Sequence, residues 1–96
     1  MPFDVKFSER AEETFNAIIN QLDQRWGNKI VVDFKERVRK ALIIISETPL
    51  IYPVAEENEE MRKCVLHKNC SMYYWIYNDV VEILYFWDNR QEPLVF

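Results

Sequence analysis

The spacing of apolar residues changes partway along this 96-residue chain, and this change most constrains its fold. From Ala11 to Ile45 apolar residues recur every three or four positions, which is the spacing of a buried helical face. From Met61 to Trp87 the period falls to two, in stretches rich in Val, Ile, Tyr, Phe and Trp. The chain therefore predicts helices packed against a sheet, an α+β architecture.

Two helices are predicted in the first half. Ser8 stands where a helix N-cap belongs, and acidic residues crowd the first turns of a helix of about 18 residues. Gly27, the only glycine, follows this helix and suits a left-handed C-cap with a tight turn. A second helix is predicted over Lys29–Glu47, and Pro49 ends it because proline disfavours the α conformation in the preceding residue. So short a connection predicts an antiparallel two-helix hairpin.

The alternating pattern predicts four strands, at Phe3–Phe7, Met61–His67, Ser71–Tyr77 and Val80–Trp87. Short polar turns separate the last three, which are therefore expected to form a three-stranded antiparallel meander. The expected architecture is an N-terminal strand, an antiparallel two-helix hairpin and the meander, with both helices on an antiparallel sheet. A single domain is expected over residues 1–96.

The segment Leu50–Glu60 is predicted to be a solvated connector, and four of its last five residues are glutamates. The whole chain has a net charge of −4. Proteins that bind nucleic acid are normally basic, because neutralising phosphates supplies most of the non-specific affinity. No direct sequence-specific binding of nucleic acid is therefore expected.

Neither a metal nor another cofactor is predicted. Cys64 and Cys70 are six residues apart without a second pair, and His67 is the single histidine, too few ligands for a zinc site. The cysteines are expected to be reduced thiols. With no secretory signal visible and no apolar run near the roughly 18 residues of a membrane span, a cytoplasmic protein without membrane association is expected.

Two stretches of the chain resemble the RelE/ParE toxin family. The opening "VKFSERAEETFNAI" is similar to the family's first strand and acidic helix start. The stretch "MRKCVLHKNCSMYYWIYNDVVEILYFWDNRQEP" is similar to its closing half, and Phe86-x-Asp88-x-Arg90-x-x-Pro93 is the most specific part. The resemblance covers nearly the whole chain and implies the toxin of a type II toxin–antitoxin system.

The family divides by target. RelE-like toxins cut mRNA in the ribosome with basic and aromatic residues on the sheet, whereas ParE-like toxins poison DNA gyrase without such a cluster. Both are neutralised by a cognate antitoxin protein. The chain is placed nearer ParE, as a growth-inhibiting gyrase inhibitor that is not expected to be an enzyme. Two alternatives stay open: a ribosome-dependent mRNA endoribonuclease with a reduced catalytic set, and an inactive antitoxin-binding or regulatory module.

The resemblance also implies site residues. Arg62 and Arg90 match two family arginines and are the catalytic candidates only if the protein is a nuclease. The glutamates of the connector are negatively charged and would repel RNA phosphates. Met72 stands where a second strand arginine is common in the family. Asp88 could instead hold Arg90 in a surface ion pair.

Aromatic residues of the meander are expected to form an exposed face that binds the antitoxin or the target, as exposed aromatics usually mark protein partners. The residues assigned to this binding are Tyr73, Trp75, Tyr77, Arg62 and Arg90. His67 is either a base or, more simply, a solvated residue beside a hairpin turn. The cations of the second helix are expected to be a solvated face: Lys35, Arg37, Arg39 and Lys40.

Overall fold

The computed structural model describes residues 2–88, so Arg90 and Pro93 lie outside the described residues. The elements in chain order are β1 (Asp4–Phe7), α1 (Glu9–Trp26), α2 (Asn28–Glu47), β2 (Arg62–His67), β3 (Cys70–Tyr77) and β4 (Val80–Asp88). The predicted α+β order is confirmed, and the observed ends differ from the predicted ones by a residue.

Ser8 starts α1 as the sequence predicts. Its backbone is extended, and its hydroxyl oxygen accepts a hydrogen bond from the Ala11 N–H at 3.0 Å, which satisfies one of the free donors of the first turn. The same hydroxyl donates to the Leu84 carbonyl at 2.8 Å. One side chain therefore caps the helix and ties its start to β4.

Gly27 alone joins the two helices. Its φ of 88° confirms the predicted positive angle, but its ψ of −176° is extended and not left-handed helical. This combination is open essentially to glycine only. A Cβ at this position would meet nothing within 4 Å, so backbone conformation and not space requires the glycine.

The four strands form one sheet in the order β1-β4-β3-β2. The predicted antiparallel meander of β2, β3 and β4 is confirmed. The expectation of a wholly antiparallel sheet is wrong, because β1 pairs with β4 in parallel, from Asp4 opposite Val80 to Phe7 opposite Ile83. Parallel neighbours need a long connection across the sheet, and the helix hairpin and the meander's first strands supply it.

The main core lies between the helix hairpin and one face of the sheet. Four phenylalanine rings from four elements pack together at one end of it, with centroids 5.3 to 6.2 Å apart: Phe7, Phe15, Phe34 and Phe86. The largest fully buried side chains come from α2 and the three meander strands: Ile45, Cys64, Met72, Tyr74, Val81 and Ile83. Among the described residues, no helix is long and apolar enough to cross a membrane.

The connector is less solvated than the sequence predicts. Ala55 is buried, and its N–H donates to the Met61 carbonyl at 2.9 Å. The Lys63 N–H donates to the Pro53 carbonyl at 2.9 Å, so the segment runs along the edge of β2. Burial of Ala55 and partial burial of Tyr52 help to fix the path of the segment, while its glutamates stay exposed.

Candidate functional site

The alternation of β3 divides its aromatic residues between the two faces of the sheet. Tyr74 points toward the helices and belongs to the main core. Tyr73, Trp75 and Tyr77 therefore point to the opposite face, which we call the outer face. The structure thus brings the three predicted aromatic residues to one face.

The exposure of these three rings rises steeply along the strand, from Tyr73 to Tyr77. Tyr73 is only 3% exposed, because Ala55 of the connector and the neighbouring Met61 pack against it. Trp75 is half-buried, and Tyr77 is 39% exposed. A partner can therefore reach Trp75 and Tyr77 directly but can reach Tyr73 only if the connector moves.

The covered end of the outer face holds two stacked rings, which we call the tyrosine pair. Tyr73 and Tyr85 lie 4.7 Å apart between centroids, at 25° between planes. The Arg10 guanidinium lies 4.3 Å from the Tyr85 centroid, and the Lys63 ammonium lies 5.8 Å from that of Tyr73. The Tyr73 hydroxyl donates to a Glu57 carboxylate oxygen at 3.3 Å. Burial, reinforced by the charge of Glu57, raises the pKa of Tyr73.

The open end of the outer face holds a shallow cavity of about 470 Å³, which we call the Trp75–Tyr77 pocket. Its lining residues are Glu60, Trp75, Ile76, Tyr77 and Glu82. The two rings meet edge to face, 6.1 Å apart at 80°. The Trp75 indole N–H donates to Glu82 at 2.9 Å, which fixes the ring.

Arg62 lies apart from this face. It stands opposite Tyr74 in the ladder, and directly opposed residues share a face, so it lies on the helix side of the sheet. Its guanidinium donates to the carbonyls of Tyr52 at 2.7 Å and Leu50 at 3.3 Å. These bonds anchor the connector, so the structure does not bring Arg62 together with Tyr73.

Two cations of the outer face escaped the sequence analysis. The position of Lys63 follows from strand alternation. Cys64 and Leu66 of β2 point into the main core, so Lys63, on the alternate positions, points to the outer face. Arg10 carried no such signal, since it comes from the first turn of α1 and meets Tyr85 only through the tertiary fold. Met72, the position of the missing family arginine, is fully buried in the main core.

The other predicted polar residues have structural settings. His67 is exposed, and its Nδ1 accepts from the Asn69 N–H at 3.3 Å within the β2–β3 turn. Asp88, the alternative ion-pair partner of Arg90, is only 4% exposed at the end of β4 opposite Cys70, and Arg90 itself lies outside the described residues. Arg37 is exposed, as predicted for this helix face, and it also donates to the Leu66 carbonyl at 2.8 Å, which joins α2 to β2.

The cysteines and possible metal ligands form no reactive centre in the described part of the chain. Cys64 and Cys70 are buried thiols that form no disulfide with each other. Burial raises the pKa of the Cys64 thiol, which disfavours the reactive thiolate. Within residues 2–88 no three potential ligands group to hold a metal ion.

A second concave surface lies between the glycine end of the helix hairpin and the β2–β3 turn. This groove of about 430 Å³ is lined mainly by apolar side chains, among them Leu22, Trp26, Ile30 and Phe34. Trp26 is 58% exposed there.

No family model and no curated protein sequence matches the chain. Solved structures do match its fold. A chain of the chromosomal ParDE toxin–antitoxin system of P. aeruginosa overlays with a TM-score of 0.77 at 12% identity, over 90% of this chain and 95% of that one. The toxin–antitoxin complex RelBE2 of Mycobacterium tuberculosis gives 0.62 at 18% identity, over 92% of each chain. The isolated E. coli RelE toxin gives 0.61 at 17% identity, over 90% of this chain and 83% of that one.

These likenesses define a class of fold. The chain has the architecture of the small α+β toxins of toxin–antitoxin systems. The RelE/ParE-type fold that the sequence resemblance implied is confirmed.

Proposed function

We propose that this protein is the toxin of a type II toxin–antitoxin pair, that it acts as ParE-like toxins do by binding a cellular target, and that a cognate antitoxin neutralises it. DNA gyrase is the leading target by resemblance. A target of this kind would place the protein in the cytoplasm.

The observation that carries the ParE-like proposal is the acidic connector beside the tyrosine pair. An RNA phosphate brought to these rings would approach the Glu57 carboxylate that accepts from Tyr73. Two like charges 4 Å apart repel by about 1 kcal/mol in water and about 4 kcal/mol at the effective dielectric constant of a protein surface. The connector therefore opposes RNA at the place where a nuclease would need it.

The open end of the outer face supports action through a protein partner. Trp75 and Tyr77 are the residue types most enriched in protein interfaces, and they stand where no other part of residues 2–88 covers them fully. An antitoxin or target that contacts this end buries aromatic surface without first displacing the connector.

The test is a gyrase supercoiling and DNA-cleavage assay with the purified protein, with and without its antitoxin. Inhibition with trapped cleaved DNA, relieved by the antitoxin, is expected. Tyr77→Ala should weaken inhibition, whereas Trp26→Ala, which removes an exposed aromatic from the distant groove, should not if the outer face is the binding surface. A folded protein that binds its antitoxin but leaves gyrase unaffected would refute gyrase as the target.

A second candidate, an mRNA endoribonuclease, is favoured by the two cations over the tyrosine pair. Arg10 and Lys63 supply positive charge beside aromatic rings, a combination that RNA-binding surfaces use. Cleavage of ribosome-bound mRNA that Arg10→Ala and Lys63→Ala both abolish would establish this function. Arg62→Ala is a poor test, because the variant loses the anchor of the connector.

The third candidate is an inactive binding module. Harmless expression of a folded protein that still binds its antitoxin, together with negative gyrase and ribosome assays, would favour it.

A further inference from the structure

We propose that the Trp75–Tyr77 pocket holds an arginine side chain from a basic segment of a partner protein. This proposal rests on the proposed function only in that the outer face binds a protein, and it names an arginine guanidinium as the group that this face binds.

The walls of the pocket suit a flat cation. Aromatic rings attract cations through their negative faces, tryptophan most strongly, and guanidinium groups also stack on them. The bond from the Trp75 indole to Glu82 holds the larger ring in place, so little side-chain freedom is lost on binding. Glu82 accepts that bond through Oε1, and its carboxylate has the lone pairs to accept further donors.

The charges around the pocket also favour a cation. Glu60 and Glu82 line it, and the remaining connector glutamates lie close in sequence to Glu60. Asp79 lies in the turn that follows Tyr77, and Asp4 pairs with Val80 at the start of β4. A guanidinium can stack on a ring and donate paired hydrogen bonds to a carboxylate at the same time, which a compact ammonium cannot.

Lys6 provides an internal example of the interaction. Its ammonium lies 5.7 Å from the Tyr77 centroid, and Lys6 is the partner of Glu82 in the β1–β4 pairing. The structure therefore already holds a cation at one ring of the pocket. An incoming arginine would compete with this lysine for Tyr77 and Glu82.

Nucleic acid and a second copy of the chain are the other possible occupants. Phosphates would meet Glu60 and Glu82, so nucleic acid is disfavoured by like charge. A second copy would have to offer an arginine: on α2, Arg39 is paired with Glu36 at 2.6 Å and Arg37 is bonded to Leu66, which leaves Arg25, a single exposed arginine at the end of α1. A basic segment of another protein can offer several arginines at once, and self-association is a separate outcome of the test.

The experiment is a titration of the ¹⁵N-labelled full chain, followed by two-dimensional NMR. The probe is an acetylated and amidated (Gly-Ser-Arg)₃ peptide, and its control is the same peptide with citrulline, the neutral isostere, in place of arginine. The Trp75 indole N–H signal should shift saturably with the arginine peptide and about tenfold more weakly with the citrulline peptide, because charge carries the recognition. The signals of Trp26 and Trp87 serve as internal references.

Charge variants test the assignment in both directions. Glu60→Gln with Glu82→Gln keeps the acceptor oxygen for Trp75 and should weaken binding by about five- to tenfold. Glu56→Gln with Glu59→Gln removes the same charge from the connector outside the pocket and should change binding by less than about twofold, since water and salt screen it. Lys6→Gln removes the competing cation and should tighten binding.

Three outcomes would overturn the proposal: no shift of the Trp75 signal at millimolar peptide, equal binding of the two peptides, or an equal loss in the two double-glutamine variants. Self-association of the free protein that Glu60→Gln with Glu82→Gln abolishes would instead assign the pocket to a second copy. Failure here is distinct from failure of the proposed function, because the gyrase assay needs no arginine peptide and the titration needs no gyrase.

Discussion

The hydroxyl group of Tyr74 offers the cleanest test of how the connector is held. The side chain is fully buried, and the hydroxyl donates to the Pro49 carbonyl at 2.7 Å. Tyr74→Phe keeps the ring and removes one oxygen, so packing in the core is nearly unchanged. The Pro49 carbonyl then loses its donor at a buried residue, which costs about 1–3 kcal/mol.

We expect Tyr74→Phe to lower the free energy of unfolding by about 2 kcal/mol, which for a chain of this size lowers Tm by about 10 °C. Urea unfolding followed by circular dichroism measures this change, with the denaturant slope m expected to stay constant. Tyr77→Phe is the matched control, since it removes the same atom from an exposed tyrosine of the same strand and should change stability by less than about 0.5 kcal/mol. Equal stabilities of the two variants would refute the reasoning.

The same reasoning predicts coupling between Tyr74 and Arg62. Both side chains hold carbonyls of one short segment, at Pro49 for Tyr74 and at Leu50 and Tyr52 for Arg62. Once either bond is lost, the segment loosens and the remaining bond stabilises the fold less. In a double-mutant cycle of Tyr74→Phe and Arg62→Ala, the double variant should therefore lose about 0.5 kcal/mol or more less unfolding free energy than the sum of the two single variants. Strict additivity would show that the two anchors act independently.

Three further predictions concern the helix ends and alkaline pH. Gly27→Ala should destabilise by about 2 kcal/mol in urea unfolding, because alanine cannot adopt this φ without strain; an unchanged midpoint would contradict that. Ser8→Ala should cost about 1–2 kcal/mol in the same assay through loss of the cap, and Ser8→Thr should recover most of it. Burial raises the pKa of Tyr74 from 10.0 to about 12, so the folded state holds this proton more tightly than the unfolded state does. Stability should therefore fall as pH rises from about 10 to about 12, and Tyr74→Phe should flatten the dependence of the urea midpoint on pH; a variant with the wild-type pH dependence would count against this.

Local signals explain how much of the fold the sequence could predict. A cap at Ser8, a single glycine at position 27 and the two apolar periods each act over a few residues, and the predicted elements were confirmed. The parallel pairing of β1 with β4 depends on residues more than 70 positions apart, for which the sequence carries no local signal. The burial of the connector likewise depends on contacts that form only after the sheet exists.

The outer face shows the same division between local and distant causes. Strand alternation is enough to place Tyr73, Trp75 and Tyr77 on one face. The same alternation along β2 puts Arg62 on the face of the buried Cys64, away from these rings. The cover over Tyr73 and the approach of Arg10 to Tyr85 depend on how α1 and the connector pack. Neither could be deduced from spacing.

The position of β4 inside the sheet has a consequence for synthesis. β4 lies between β1 and β3, accepts both of them as neighbours, and is the last described element to leave the ribosome. Until residues 80–88 emerge, β1 has no strand to pair with and α1 has no partner for the Ser8 hydroxyl. Because its most distant contacts form last, the growing chain completes this sheet only after residue 88 has left the ribosome.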